Sequence, residues 1–590
     1  MNTPRTPTRS AWPLALCLLL VALLAALANP LHELPIGDDW EYARSVQHML
    51  ANGEFYRSPL VQATAFVHVL WGALFARTLG FSFVALRLST LPLAAGALAA
   101  FYGILGQLGF TPGRRVLGTL TLMVTPLFIY YSQSFNTEVP FLCWLLLGAW
   151  CSLRGLRPDG DQPARLSWMV AGSFFGALAF LTRQIGLALP AATVLVLAAD
   201  RLLVGDSLPA DRPRPGWPRW LAASLALPVL AVAGFYGWQA LAGQTSWADS
   251  AITSQGTLGF VLSVQFVPAA ARRVVLMAVT VALYMLPLWL AFLPGWRPAA
   301  GALLGGRRWR LALVAALVLA SLGSVVYFGL RGEWWPYYQE SLTRAGLGPS
   351  LAYFAFPRDV RPAFLPTPFW IGMSVLGALL AALLAAGPLL AAGRLLAGPR
   401  LAPGGPRARL GAAWQALGAA RALVAVLSLL LLAAVLVFPI VYARYFLPLL
   451  PGGIILLLSA TRRLRPSPLL AAGSLLLVGV LTVGLMWDSW AWHEVRWARS
   501  QALVARGVPL EKLDAGYEWS GWHLSDEAYA FLQAQHRPLI TDPWQAIIDP
   551  QYMVTFSLVP GYHVAEVWPF DSPFRPGGAD QLLLLERGNS

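Results

Sequence analysis

The chain has 590 residues, 57% of them hydrophobic and only 12% charged, with a formal net charge of +14. Soluble domains carry about 25% charged residues, so an ordinary globular protein is excluded, and the recurring long apolar runs read as a polytopic membrane protein. The positive balance is no nucleic-acid signature: Lys512 is the only lysine, and the arginines gather in short loops between apolar runs, which is the pattern of membrane topology.

A polar MNTPRTPTRS leads into AWPLALCLLLVALLAALA, whose apolar part is about a full bilayer span and reads as a retained first helix rather than a signal peptide. Further apolar runs fall near 84–106, 116–131, 138–153, 167–182, 185–203, 219–241, 274–294, 311–328, 367–392, 422–441, 445–461 and 467–486, giving about thirteen spans. With the N-terminus inside, every loop predicted cytoplasmic bears arginine: Arg114 and Arg115; Arg201, Arg212, Arg214 and Arg219; Arg297, Arg307, Arg308 and Arg310; Arg394 through Arg421; and Arg462, Arg463 and Arg465. The outward loops 30–83, 242–273 and 329–366 are long, and GEWWPYYQES in the third is rich in boundary-seeking aromatics. The apolar stretch 60–79 reads as a helix lying near the interface rather than crossing. The spans define a transmembrane domain over 1–486. After 486 polar residues return, with strand-like PLIT and a DPW turn, so 487–590 reads as a small outer α/β domain. Cys17, Cys143 and Cys151 all lie in apolar runs and form neither a metal motif nor a disulfide framework.

Three carboxylates in four residues, Asp38, Asp39 and Glu41 of GDDWEYARSV, follow the first span on the predicted outer side. They read either as a solvated helix start that complements the helix dipole or as a functional group of acids at the membrane edge. Glu138 of SQSFNTEVPF opens the 138–153 run on the same side, where a lone acid also reads as a cap. Arg183 of LTRQIGLALP and Arg444 of VYARYFLPLLP sit in short outward turns, against the inward arginine bias. Lipid headgroup contact is one explanation for them; binding of phosphate oxygens by the planar guanidinium is the other. Acids and arginines on one face suit a substrate with a phosphate headgroup and a lipid tail. The chain has no Walker glycine loop, no dinucleotide fingerprint and no Gly-x-Ser-x-Gly elbow. His493, His523, His536 and His563 are too scattered for a zinc motif.

In this order the motifs resemble those of the GT-C glycosyltransferases, in particular the protein O-mannosyltransferase and aminoarabinose-transferase group. Asp38-Asp39-Trp40-Glu41-Tyr42-Ala43 is similar to the family's Asp-Glu-x-x-Tyr-Ala, NTEVP to its Thr-Asp-x-Pro, LTRQIGLALP to its Leu-Thr-Lys-Gly…Pro, and RYFLPLLP to its Arg-Tyr-x-Leu-Pro. The resemblance covers residues 1 to about 465. It implies a polyprenyl-phosphate-linked sugar donor, transfer to a glycan, lipid or protein outside the inner (plasma) membrane, and inversion at the anomeric carbon. Asp38 takes the catalytic position as general base, with Asp39 in support, while Glu41 falls at a variable position and reads as solvated. Glu138, Arg183, Arg444, Tyr42 and Tyr445 bind substrate, the arginines at the donor phosphate. The resemblance leaves open whether Asp39 and Glu138 orient the acceptor or hold a divalent metal ion. The Lys-Pro-Pro run of the aminoarabinose transferases is missing, where YRSPLVQAT stands from Tyr56 to Thr64, so lipid A is disfavoured as acceptor. A transporter or flippase of lipid-linked glycans, or a polymerase of them, is the competing reading; the scarcity of mid-span acids and of repeated halves weighs against a transporter.

Overall fold

The computed structural model describes residues 12–157, 162–204, 216–243, 254–304, 308–338, 341–348, 361–396, 406–438, 440–537, 542–574 and 580–588. The predicted loop arginines Arg212, Arg214 and Arg307 and the strand-like PLIT at 538–541 lie outside these residues.

The first half runs through α1 (Trp12–Ala28), α2 (Asp39–Asn52), α3 (Phe66–Leu79), α4 (Phe83–Gln107), α5 (Pro112–Met123), α6 (Pro126–Ser132), α7 (Glu138–Gly155), α8 (Gln162–Thr182), α9 (Ala188–Val204) and α10 (Trp217–Ala242). The second half adds α11 (Ser254–Leu262), α12 (Phe266–Tyr284), α13 (Leu286–Leu304), α14 (Arg308–Gly329), α15 (Thr367–Leu396), α16 (Pro406–Leu417), α17 (Ala419–Val437), α18 (Leu450–Ala460), α19 (Pro468–Ala505) and α20 (Tyr517–Ala534). Among the described residues, ten helices are long and apolar enough to cross a membrane. The chain is thus a multi-pass α-helical membrane protein.

Three predicted spans differ from that set for local reasons. The first is 17 residues long. The 116–131 run is divided, because Val124 and Thr125 end α5 and Pro126, which has no N–H to donate, starts α6. The third, α7, carries Glu138 in its first turn and Arg154 in its last. The predicted 274–294 run is also two helices, breaking at Met285 ahead of Pro287. Helix α3 has 14 residues, about 21 Å at 1.5 Å each, which falls short of a ~30 Å hydrocarbon core and suits an interfacial position.

Buried arginines fasten these helices. Arg87 of α4 is fully buried and donates to the carbonyls of Pro30 (2.9 Å), His32 (2.6 Å) and Leu34 (2.8 Å), folding the first loop back over the helix. At the other end of the bundle, Arg114 of α5 donates to Leu458, at 3.2 Å, and Thr461, at 2.8 Å, and so caps the orphan carbonyls that end α18. An arginine read from sequence as a topology marker is therefore also a helix cap.

The last membrane helix, α19, continues without a break from Pro468 to Ala505, straight through residue 486. Beyond it a four-stranded sheet has the order β3 (Leu513–Asp514), β4 (Tyr552–Thr555), β6 (Gln581–Arg587), β5 (Tyr562–Pro569), after a short hairpin of β1 (Leu342–Thr343) and β2 (Gly346–Leu347). Strands β3 and β4 pair in parallel; β4, β6 and β5 pair antiparallel. The predicted DPW turn is a 3₁₀ turn over Pro543–Ala546. Helix α20 lies on α2 through Gly521, where an added Cβ would stand 2.4 Å from the Trp40 ring.

Candidate active site

Asp38 sits at the N-cap position of α2, yet its side chain makes no cap hydrogen bond. The chain reaches it through Gly37, whose φ of +59° places it in the left-handed region that glycine tolerates. The Gly37 N–H donates to Glu518 of α20 at 3.1 Å. Freed from capping, the two oxygens of Asp38 face opposite ways. Oδ2 pairs with Arg444, and Oδ1 lies 3.3 Å from the Tyr517 hydroxyl.

Arg444 and Arg183 reach the site by similar turns. Each precedes or opens a 3₁₀ turn at the start of an apolar helix, Gln184–Leu187 before α9 and Ala443–Leu449 before α18. The turn after Arg183 is tight: a Cβ on Gly186 would lie 2.3 Å from the Phe180 nitrogen and 2.4 Å from the Ala179 carbonyl carbon. Both arginines converge on Glu138, the first residue of α7. Arg183 Nη1 bonds its Oε1, and Arg444 Nε stands 3.5 Å from the same oxygen. Arg183 also donates to Thr137 Oγ1 at 3.2 Å, as part of a contact that includes the Tyr42 hydroxyl, 3.3 Å from that oxygen. The Tyr445 ring lies beneath both cations, 5.3 Å from the Arg183 guanidinium carbon and 5.9 Å from that of Arg444.

Asp38, Glu138, Arg183 and Arg444 thus form one chain of charge, balanced two against two. Three of the four, Glu138, Arg183 and Arg444, line a cavity of about 450 Å³. Glu138, Arg183, Arg444 and Tyr445 line it with the amides of Gln62, Gln184 and Gln239 and an apolar wall of Phe141, Ile185, Val435, Phe438 and Pro448. Glu138 is 4% exposed, and its Oε2 is buried with no hydrogen-bond partner among the described residues. Grouping four charges in a nearly buried site costs desolvation on each, and such groups are retained mainly where they are used.

Asp39 stands apart from this chain. It is 1% exposed, accepts from Asn136 Nδ2 at 2.9 Å and lies 3.8 Å from Arg87. Burial pushes its carboxyl up to about 8, with Arg87 offsetting part of the shift. Glu41, which aligns with a variable position in the resemblance and there reads as solvated, is buried instead and accepts from the Tyr517 hydroxyl at 2.8 Å. Burial, and then the charge of Asp38, push Glu41 well above the usual carboxylate range.

A metal ion does not fit these donors. Among the described residues, no group of three or more His, Cys, Asp or Glu is placed to hold one. Asp39 and Glu138, the two residues left open for that role, each face guanidinium groups that would repel a divalent cation.

Sequence reasoning missed Tyr517, Arg87 and Asn136. Tyr517 is remote in sequence and could not be found by spacing. Arg87, a single charge within an apolar span, is itself a signal of an interior partner. Asn136 lies two residues before Glu138 in a motif already singled out.

No protein-family model and no curated protein matches the chain. Solved structures do. The crystal structure of ArnT from Cupriavidus metallidurans bound to undecaprenyl phosphate is 15% identical at a TM-score of 0.41, over 98% of each chain. The S. cerevisiae protein O-mannosyltransferase Pmt1-Pmt2 complex bound to the sugar donor is 14% identical at a TM-score of 0.35, over 42% of this chain and 36% of that one. The archaeal oligosaccharyltransferase AglB from Archaeoglobus fulgidus, in complex with an inhibitory peptide and a dolichol-phosphate, is 13% identical at a TM-score of 0.35, over 92% of this chain and 57% of that one.

Proposed function

We propose that this protein is a membrane glycosyltransferase that moves a sugar from a polyprenyl-phosphate donor to a glycan, lipid or protein acceptor on the extracytoplasmic face of the inner (plasma) membrane. The observation that carries the reading is one cavity in which Glu138, Arg183 and Arg444 stand beside an apolar wall, with Asp38 paired to Arg444. That combination suits a phosphate attached to a lipid tail. The domain boundary near 486, with the helical part holding the donor and the rest standing outside, belongs to the same proposal.

In this mechanism the donor phosphate lies against Arg183 and Arg444, which exchange part of their pairing with Glu138 and Asp38 for phosphate oxygens. Release of Arg444 frees Asp38 to face the acceptor. An acceptor oxygen then forms a bond to the anomeric carbon from the side opposite the phosphate, and the bond from that carbon to the phosphate oxygen breaks, inverting the centre. The acceptor proton passes to Asp38, and polyprenyl phosphate leaves with its charge held by the two arginines. Glu138 keeps both guanidinium groups in place, Tyr42 steadies Thr137 between them, and Tyr445 carries the arginines on its ring face. Asp39, neutral and buried, supports the backbone beneath Asp38. The two arginines supply the charge stabilisation in this mechanism.

The test is transfer in proteoliposomes from a panel of synthetic polyprenyl-phosphate pentoses and hexoses to an envelope extract, followed by mass spectrometry. Asp38→Asn should lower transfer by about 10³-fold, the scale of losing a general base with its positioning. Undiminished transfer by that variant would remove Asp38 from the chemistry.

A further inference from the structure

Tyr517 opens α20, 479 residues after Asp38, yet its hydroxyl stands between two carboxylates of the first loop. It donates to Glu41 Oε1 at 2.8 Å and lies 3.3 Å from Asp38 Oδ1. The ring cannot swing freely. It packs edge-on against Trp40, with centroids 5.8 Å apart, and against Trp544, 5.4 Å apart. Trp40 and Trp544 contact each other at 5.7 Å, and Trp40 is fully buried. The hydroxyl is therefore fixed by a three-ring cluster built from both the first loop and the region after 486. Asp38 has one oxygen on Arg444 and the other on this hydroxyl.

We infer that Tyr517 is a positioning residue for the transfer reaction: its hydroxyl, shared between Glu41 Oε1 and Asp38 Oδ1, fixes Oδ1 and leaves Oδ2, once Arg444 turns to the phosphate, for the acceptor. This rests on the reading of Asp38 as the base. Under it, the segment after 486 does more than stand over the membrane domain; it completes the base. The ionisable groups facing Glu41 are Asp38, Tyr517, Arg444, Asp542, Tyr42 and Tyr529. Asp542, at the start of the 3₁₀ turn that carries Trp544, is itself pushed up to about 6 by burial and then by Asp38. Tyr517 supplies a hydrogen-bond donor where acids from two parts of the chain crowd together, and its donation favours the ionised form of Glu41.

The experiment uses the full-length protein in the same proteoliposomes and the same donor panel. Tyr517→Phe keeps the ring and its packing and deletes only the hydroxyl. It should lower kcat about tenfold, as expected when one positioning hydrogen bond is lost, while donor KM stays within about twofold. The acid limb of the pH–rate profile should move to higher pH, because a hydroxyl that favours the ionised form of Glu41 is gone. Glu41→Ala removes the anchor rather than the hydroxyl, and should lower kcat in the same direction at unchanged donor KM. A Tyr517→Phe protein with wild-type kcat and pH profile, beside an inactive Asp38→Asn, overturns the positioning role alone. An active Asp38→Asn overturns the base assignment on which it stands.

Discussion

Replacing Asp39 by asparagine tests the division of labour between the two adjacent aspartates. Asp39 is 1% exposed and its carboxyl is pushed from 3.8 up to about 8, whereas an unfolded chain returns it to the ordinary value. Between these two values the folded protein holds a proton that the unfolded chain has lost, so stability falls as pH rises, by about 1.4 kcal/mol per pH unit. The fall begins near the unfolded value and ends near the folded one. Over that window the accumulated cost is on the order of several kcal/mol. Asparagine does not ionise, keeps an oxygen to accept from Asn136, and leaves the Arg87 charge on its three loop carbonyls. The gap in stability between Asp39→Asn and the wild type should therefore be small near pH 4, widen steadily to pH 8 and then level off. Thermal unfolding in detergent across that range reads it directly, and transfer at pH 7 should survive within about tenfold, because Asp39 supports rather than reacts. Parallel stability curves for the two proteins would refute the buried, neutral Asp39; a loss of transfer as deep as that of Asp38→Asn would refute its supporting role.

Two other substitutions probe the donor side. Arg444→Ala removes the partner of Asp38 and one of two guanidinium groups at the cavity; losing a charge-assisted contact of about 1.5–3 kcal/mol should raise donor KM roughly 10- to 100-fold, and an unchanged donor titration would contradict the phosphate role. Gly186→Ala places a methyl against the backbone of Ala179 and Phe180, so the turn that displays Arg183 must open; we expect a destabilisation of about 1–3 kcal/mol and weaker donor binding, both seen by comparing thermal midpoints and donor KM with the wild type.

The helical membrane class was legible from composition and run length, since the bilayer imposes one scale on every span. Asp38, Glu138, Arg183 and Arg444 were legible because each is a charge at the edge of an apolar run, where charge is expensive. The structure brings these four together and sets Asp39 behind them, a distinction invisible in two consecutive identical residues. Helical geometry makes it: the N-cap residue and the first helical residue point in different directions, one toward Arg444 and one toward Arg87. Glu41 was misread as solvated because the sequence near it gives no hint of α20, which covers it from far along the chain. Tyr517 was illegible for the same reason. The divided run at 116–131 was signalled by Pro126, which a hydrophobicity count overlooks.

Helix α19 has a further consequence. Its 38 residues extend about 57 Å, while the hydrocarbon core takes only ~30 Å, so some 27 Å of unbroken helix stands clear of the lipid tails. Arg496 on that clear portion bonds Glu518 at 2.9 Å, and Glu518 in turn holds Gly37 beside Asp38. Lower down, Trp487 and Trp490 clasp the last carbonyls of α1. The helix is in effect a gauge rod, set in the bilayer at one end and graduated at the other by the acidic motif. One unbroken element therefore ties the depth of the membrane bundle to the position of the acidic motif.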